Sequence, residues 1–364
     1  MHIDELETPA LVIDLDIMEA NLQRVASYAK SHGLRLRPHT KTHKIPALGR
    51  RQIELGAAGL TVAKTTEAEV MLRAEPPTLL VAYPVLGKTK LDRLTRVAQQ
   101  TPTTVSLDSA EAARGLSEAA QRAGVEVGVL AELDAGLGRV GVTPGPELLA
   151  LAREIESLPH LRFEGIAFYP GQLKKMDQQG SAAFDAVARL LENACGELQA
   201  AGLTPRIVSG GSTPSLFRSH ELPYLNEIRP GTYIFNDRNT AFGGGCTLDQ
   251  CAASILVTVV STAKHGQAII DGGSKTFSSD LSAAPGTPSF GHIVDAPEAV
   301  FFKMNEEHGY VDLAGTKARI ATGSRLRLIP NHICVAMNLH ERVHGIRGDQ
   351  VETTWAVEGR GKLQ

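Results

Sequence analysis

Between Arg37 and Lys44 the chain reads RPHTKTHK, which places an arginine, two lysines and two histidines in one short segment. A lysine held in a cleft among other cations can lose its proton and act as a nucleophilic amine that forms a Schiff base with a carbonyl. Lys41 is the candidate, because it follows LRLRP, a stretch that reads as a short strand. Arg37, His39, His43 and Lys44 are the neighbours that would tune it. The residues alone also allow a solvated basic loop or an anion-binding one.

Four further groups could carry chemistry. Arg139 lies in ELDAGLGRVGV, after another apolar run, among glycines that permit tight turns. Buried there, its guanidinium fork could hold a phenolate or carboxylate oxygen, or it could pair structurally with Glu132 or Asp134. SGGST, Ser209 to Thr213, offers backbone N–H groups and hydroxyls to a phosphate, with Gly211 and Ser212 at its centre; a plain tight turn is the alternative. His332 and Cys334 in PNHIC are spaced i, i+2, so on an extended strand both would point the same way. Imidazole plus thiolate suits zinc, and two protein ligands leave positions open for water or substrate. Tyr169 in FYPG and Tyr233 in GTYIF end apolar runs, where they would contact a cofactor or simply pack.

These residues must be positioned by elements, and the elements have a rhythm. LRLRP, GLTVA, TLLVAY, TTVSLD, VGVLAELD, FEGIAFY, PRIVSGG and GTYIFND alternate with amphipathic stretches of helical period. Continuous apolar strands alternating with helices mean a parallel sheet, and eight of them predict a (β/α)8 TIM-type barrel. In such a barrel the strand C-termini carry the reactive side chains, which is where Lys41, Arg139, Tyr169, SGGST and Tyr233 fall. Thr66 with Glu69, and Asp108 with Glu111, have capping-box spacing. The preceding helix, IMEANLQRVASYAKSHG, sets Leu22, Val25, Ala26 and Ala29 on one face and stops at Gly33.

After Asp237 the texture changes to short alternating strands between Gly, Pro and Asn turns, with no convincing helix. This predicts a C-terminal antiparallel β domain. The expected division is a barrel over residues 8–240 and a β domain over 241–364 carrying the metal pair. AFGGGC is the expected linker, residues 1–7 are expected to associate with the β domain, and the strand ALVIDL is expected to pair with it.

Composition bounds the function. The chain has 364 residues and a net charge of −3, with no basic excess to attract nucleic acid or an anionic membrane. No apolar run approaches a membrane span, and the N-terminus lacks the features of a secretory signal. Cys195, Cys246, Cys251 and Cys334 are too sparse for a disulfide scaffold, so a cytoplasmic protein is expected. Cys246 and Cys251 read as small apolar fillers. No phosphate-binding P-loop and no dinucleotide glycine fingerprint occurs.

Taken together, RPHTKTHK, ELDAGLGRVGV, FYPG, SGGST, EIRPGTYIFND, DGGSKTFSSD, NEEHG, PNHIC and WAVEGRG resemble the pyridoxal-phosphate enzymes of fold type III. Within that class the chain is similar to the D-threonine aldolase and D-serine dehydratase family, whose barrel is alanine racemase-like. The resemblance implies pyridoxal 5'-phosphate as cofactor and Lys41, in preference to Lys44, as its Schiff-base lysine with His39 beside it. It implies that Arg139 meets the ring oxygen, that Tyr169 lies beside the ring, and that Gly211, Ser212 and Tyr233 hold the phosphate. It further implies that His332 and Cys334 bind a divalent metal, Zn²⁺ or Mn²⁺, next to the β-hydroxyl of a D-amino acid substrate. A homodimer is implied as well.

Two departures stand out. Gln172 occupies a position where such sequences often have histidine, and Cys334 is the ligand form associated with dehydratases. The expected activity is retro-aldol cleavage of the D-threonine type. The alternatives are β-elimination of the D-serine or D-3-hydroxyaspartate type, a racemase, and a non-enzymatic pyridoxal-phosphate carrier; the last is disfavoured by the β domain with its His-x-Cys pair.

Overall fold

The computed structural model describes residues 1–284, 286 and 288–364. Contacts divide the chain into two compact units. One comprises residues 24–41, 45–231 and 361–364; the other comprises residues 1–23, 42–44 and 232–360. The division after Gly231 precedes the 240/241 break expected from texture.

The chain opens with strand β1 (Ala10–Asp14) and helix α1 (Leu15–Ser31). Asp14 starts the helix by accepting from the N–H groups of Asp16 and Ile17. The barrel strands follow: β2 (Arg35–Leu36), β3 (Leu60–Val62), β4 (Leu79–Val81), β5 (Thr103–Leu107), β6 (Val127–Leu133), β7 (Leu161–Phe168), β8 (Ile207–Gly210) and β9 (Glu227–Ile228). Between them run α2 (Pro46–Glu54), α3 (Thr65–Met71), α4 (Lys88–Ala98), α5 (Ala110–Ala123), α6 (Pro146–Ser157) and α7 (Gln178–Ala200).

These eight strands lie in the order β2-β9-β8-β7-β6-β5-β4-β3, and every pairing is parallel. A parallel bridge between His39 and Thr61 joins the two ends of that order and closes the barrel. The all-buried pattern of β5 and β6 explains why they read as unbroken apolar runs.

The eighth strand is β9, not GTYIF. Its two residues include Glu227, fully buried against Arg37 (Nε to Oε2 3.0 Å), so a charged pair hides the strand from an apolar-run search. Pro230 ends it, and Thr232–Ile234 turns as one 3-10 helix. The capping boxes also shift. Lys64 caps α3 without a side-chain bond, and Ser109, one residue past Asp108, caps α5.

The second unit is a sheet in the order β13-β14-β11-β10-β1-β16-β17, with β15 pairing β10 and β12 pairing β15. Its strands are β10 (Ala253–Ser261), β11 (Gln267–Ile270), β12 (Gly291–Ile293), β13 (Val300–Met304), β14 (Gly309–Asp312), β15 (Arg325–Pro330), β16 (Arg342–Arg347) and β17 (Gln350–Ala356). The expected partner of ALVIDL is present: β1 runs antiparallel to β10 and parallel to β16. Leu11, Val12 and Ile13 are completely buried there.

Three helices contradict the all-strand expectation for this region: α8 (Arg238–Phe242), α9 (Ser274–Phe277) and α10 (Ile333–Leu339). The first of these occupies the start of the stretch read as a linker. Among the described residues, no helix is long and apolar enough to cross a membrane.

Candidate active site

The RPHTKTHK cluster separates into residues with different partners. Arg37 is buried in the barrel, paired with Glu227 and donating from Nη1 to Thr78 Oγ1 at 2.6 Å. Lys44 belongs to the second unit, where its buried ammonium donates to Gly359 O at 3.2 Å and its carbonyl accepts from Gly359 N at 2.9 Å. Lys41 has neither an acid nor a backbone carbonyl as partner of its amine among the described residues. It lies in the 3-10 turn Thr40–Thr42, half-buried, with Nζ 5.7 Å from the centroid of the Tyr169 ring.

The turn is held firmly. Thr40 Oγ1 donates to Glu67 Oε1 at 2.9 Å and reaches Thr61 O, while His39 Nδ1 accepts from Lys41 N at 3.4 Å. His39 therefore supports the turn backbone.

Arg139 approaches the same aromatic face, its guanidinium carbon 5.0 Å from the Tyr169 centroid. Two cations over one ring are favourable only weakly by quadrupole attraction, and neither has a carboxylate here. The expectation that Arg139 is buried is not met: it is exposed. The glycine loop carries it outward, because Asp134 Oδ1 takes the N–H groups of Gly136 and Gly138 while Asp108 takes that of Gly141. The structural pairing with Glu132 or Asp134 is not formed either, since Glu132 accepts from Ser106.

Arg229, just past β9, was not singled out by sequence. It is buried, donating to Ser209 Oγ at 3.3 Å and to Phe168 O at 3.1 Å, beside Tyr169. Ser209 in turn donates to Glu227 at 2.7 Å. Burial pulls the Arg229 pKa below an arginine's usual value, against the pull of Glu132 and Glu227. Its position after a short hidden strand left no periodic signal.

In SGGST, Gly211 adopts φ +93°, and a Cβ there would meet nothing closer than Ser219 Oγ at 3.5 Å. A Cβ on Gly210 would strike the Phe168 ring at 2.3 Å. Both glycines are thus required, one by torsion and one by contact. Ser212 Oγ lies 3.2 Å from Ser215 Oγ. Gln172 donates from Nε2 to Ala135 O, and as a neutral amide it neither takes nor gives a proton near neutral pH.

The second unit holds the His-x-Cys pair, but not on a strand. His332 is the N-cap of α10 and Cys334 lies in its first turn. Asp237, 1% exposed, organises this corner. Its Oδ2 pairs with His332 Nδ1 at 3.0 Å and accepts from Ile333 N at 3.2 Å; its Oδ1 accepts from Thr240 N and Oγ1 at 2.8 and 2.7 Å. Cys334 Sγ is 3.2 Å from Thr42 Oγ1 and 3.8 Å from Thr232 Oγ1.

Burial opposes a charged imidazole. The hydrogen bonds to Asp237 and Cys334 outweigh it, and the His332 pKa is pushed up to about 11. Among the described residues no three His, Cys, Asp or Glu side chains form a complete cation cage. A carboxylate on Nδ1 leaves Nε2 as the ligand atom, the arrangement that orients metal-binding histidines. The donor set therefore fits a borderline metal held by two protein ligands. Tyr233, buried in its 3-10 turn, belongs to this unit.

The comparisons agree with both units. The family described as "Alanine racemase, N-terminal domain" matches residues 13–239, and "Putative serine dehydratase domain" matches residues 252–346. A 3-hydroxy-D-aspartate aldolase of Paracoccus denitrificans is 35% identical, covering 100% of this chain and 94% of its own. The crystal structure of D-threonine aldolase from Filomicrobium marinum superposes with a TM-score of 0.92 at 32% identity, covering 99% of this chain and 98% of the other. D-threo-3-hydroxyaspartate dehydratase from Delftia sp. HT23 gives 0.88 at 30% identity, covering 98% of each. Structures of that dehydratase include a histidine and a cysteine variant two positions apart, the latter "in the metal-free form".

Proposed function

This chain belongs to the family that joins an alanine racemase-type barrel to a serine dehydratase domain, and from that premise we propose aldol cleavage as its reaction. It is a pyridoxal-phosphate-dependent lyase of D-3-hydroxy amino acids. The proposed products are glycine and an aldehyde, with D-threonine cleavage giving acetaldehyde. The observation that carries the reading is the whole-chain similarity to a 3-hydroxy-D-aspartate aldolase and to the D-threonine aldolase structure, while the His332–Cys334 pair set at the head of α10 by Asp237 suits either reaction.

Pyridoxal phosphate, when bound, supplies the electron sink that makes a carbanion at Cα accessible. Lys41 would hold it through the amine over Tyr169, and Gly211 and Ser212 would receive the phosphate. His332 and Cys334 would hold a divalent metal, zinc first among candidates for an N/S donor pair, which would lower the pKa of a hydroxyl bound to it. Asp237 fixes the His332 ring so that Nε2 faces the ligand position. The Lys41 amine would be the group able to move a proton at Cα. Gln172, a neutral amide, cannot take the hydroxyl proton.

β-Elimination is a second reading, favoured by one observation. The Delftia dehydratase has a histidine and a cysteine at the same spacing as His332 and Cys334. Product analysis separates the two. With D-threonine and D-serine, with and without chelator, glycine plus acetaldehyde supports aldol cleavage, and keto acid plus ammonia alone overturns it. A homodimer is part of the proposal and is checked by sedimentation.

A further inference from the structure

Arg238 opens α8, directly after the carboxylate that orients His332. It is half-buried, and its hydrogen bonds to the described residues all fall on one nitrogen. Nη1 donates to Ser289 Oγ, to Gly291 O at 3.2 Å and to Asn331 Oδ1 at 3.3 Å. Asn331 is the residue before His332, and Asn239 N donates to its carbonyl at 3.2 Å. The guanidinium is thereby tied through Nη1 to Asn331, the residue before His332, as well as to Ser289 and Gly291.

What Arg238 lacks is an anion. The two buried arginines of the barrel, Arg37 and Arg229, have Glu227 in their network. Arg238 makes no ion pair among the described residues, and it faces a cationisable neighbour in His292, whose pKa is lowered by burial and then by Arg238 itself. A partly desolvated cation with no counter-charge is costly, and it is stabilised when an anion completes it. Three bonds on Nη1 leave the Nε–Nη2 edge without a partner among the described residues. That edge is the one that grips a carboxylate through two parallel N–H···O bonds.

We propose that Arg238 is a specificity-determining residue that binds the distal carboxylate of a 3-hydroxy dicarboxylic substrate, D-3-hydroxyaspartate. The inference rests on the lyase reading above and deepens it. The hydroxyl and the distal carboxylate of such a substrate sit on the same carbon. Arg238 follows Asp237 in the chain and bonds Asn331, the residue before His332, so it belongs to the corner that would hold the hydroxyl, and the carboxylate on the same carbon is the one it would meet. Cleavage of D-3-hydroxyaspartate breaks Cα–Cβ and moves the hydroxyl proton to Cα, giving glycine and glyoxylate with atoms in balance.

The test uses the full chain loaded with pyridoxal phosphate and zinc, comparing the parent with Arg238→Gln and Arg238→Lys on D-3-hydroxyaspartate and D-threonine. The ratio of kcat/KM for the dicarboxylate over D-threonine is expected to fall about a hundredfold in Arg238→Gln, chiefly through KM, with partial recovery in Arg238→Lys. Competitive inhibition by succinate, stronger than by butyrate in the parent, is expected to weaken in step. Equal losses on both substrates, which a structural role or a grip on the α-carboxylate would give, overturn the inference. So does an unchanged ratio. If Arg238→Gln fails to fold, the Arg238→Lys ratio and its succinate inhibition decide the matter by the same criteria. If the parent cleaves neither substrate, the lyase reading itself fails, which is a different result.

Discussion

The two units solve the problem of presenting reactive groups in opposite ways. In the barrel, Lys41, Arg139 and Tyr169 are gathered by strand ends and carry cations that no acid neutralises, so the unit is left receptive to an anionic, aromatic cofactor. In the second unit, one buried carboxylate does the gathering. Asp237 takes four donors, and two of them belong to the His332–Ile333 stretch that begins α10. Backbone architecture positions the first set, and a single side chain positions the second. The first arrangement should therefore tolerate single changes around it better than the second.

The sharpest way to break that contrast is to remove the central residue of the barrel set. Lys41→Ala is expected to lower turnover by about 10³-fold or more and to abolish the absorbance near about 420 nm of the loaded protein. Zinc binding, measured by competition with a chelating dye, should persist. Loss of zinc binding in this variant would show that the two sets are not independent in this sense.

Next in size is Asp237→Asn, which keeps the shape but gives up the negative charge on His332. Metal affinity should fall by roughly 10- to 100-fold while the cofactor absorbance remains. An unchanged affinity would mean that the backbone, not the carboxylate, positions His332.

The pH dependence of the metal-free protein sharpens the same point. The folded His332 pKa of about 11 lies above the ordinary imidazole value, so the charged pair with Asp237 stabilises the fold fully below about pH 6.5. That contribution is lost as pH rises through about 11. Thermal unfolding of metal-free protein should show this decline, and Asp237→Asn should flatten it.

The smallest expected effect concerns the Lys44–Gly359 clasp. A Cβ at Gly359 would lie 3.0 Å from Lys44 Cβ and 3.2 Å from its carbonyl oxygen. Gly359→Ala should cost about 1–3 kcal/mol in denaturant unfolding. A cost near zero would show that the clasp yields freely.

Much of this was legible before any coordinates. The parallel strands were visible as apolar runs because both of their faces are buried, and Lys41 could be placed because it follows one of them. The His-x-Cys pair was visible as donor chemistry. Its geometry was not, because α10 starts without a side-chain cap, in a stretch rich in β-branched residues after a strand ending in proline. Tyr233 was misplaced for a related reason, since the true eighth strand is two residues long and contains a buried glutamate.

What the sequence by itself determined, then, was the set of elements and the residue types able to do chemistry, because hydrophobic period and donor identity are local properties of the chain. What only the tertiary structure decided was which polar groups meet. Asp237 finds His332 across 95 positions, and Glu227 finds Arg37 across 190, in pairings that no short-range pattern encodes. A buried charge must find a partner from whatever part of the chain the fold brings near, and that choice is made by packing. The same packing left Arg238 without an acid.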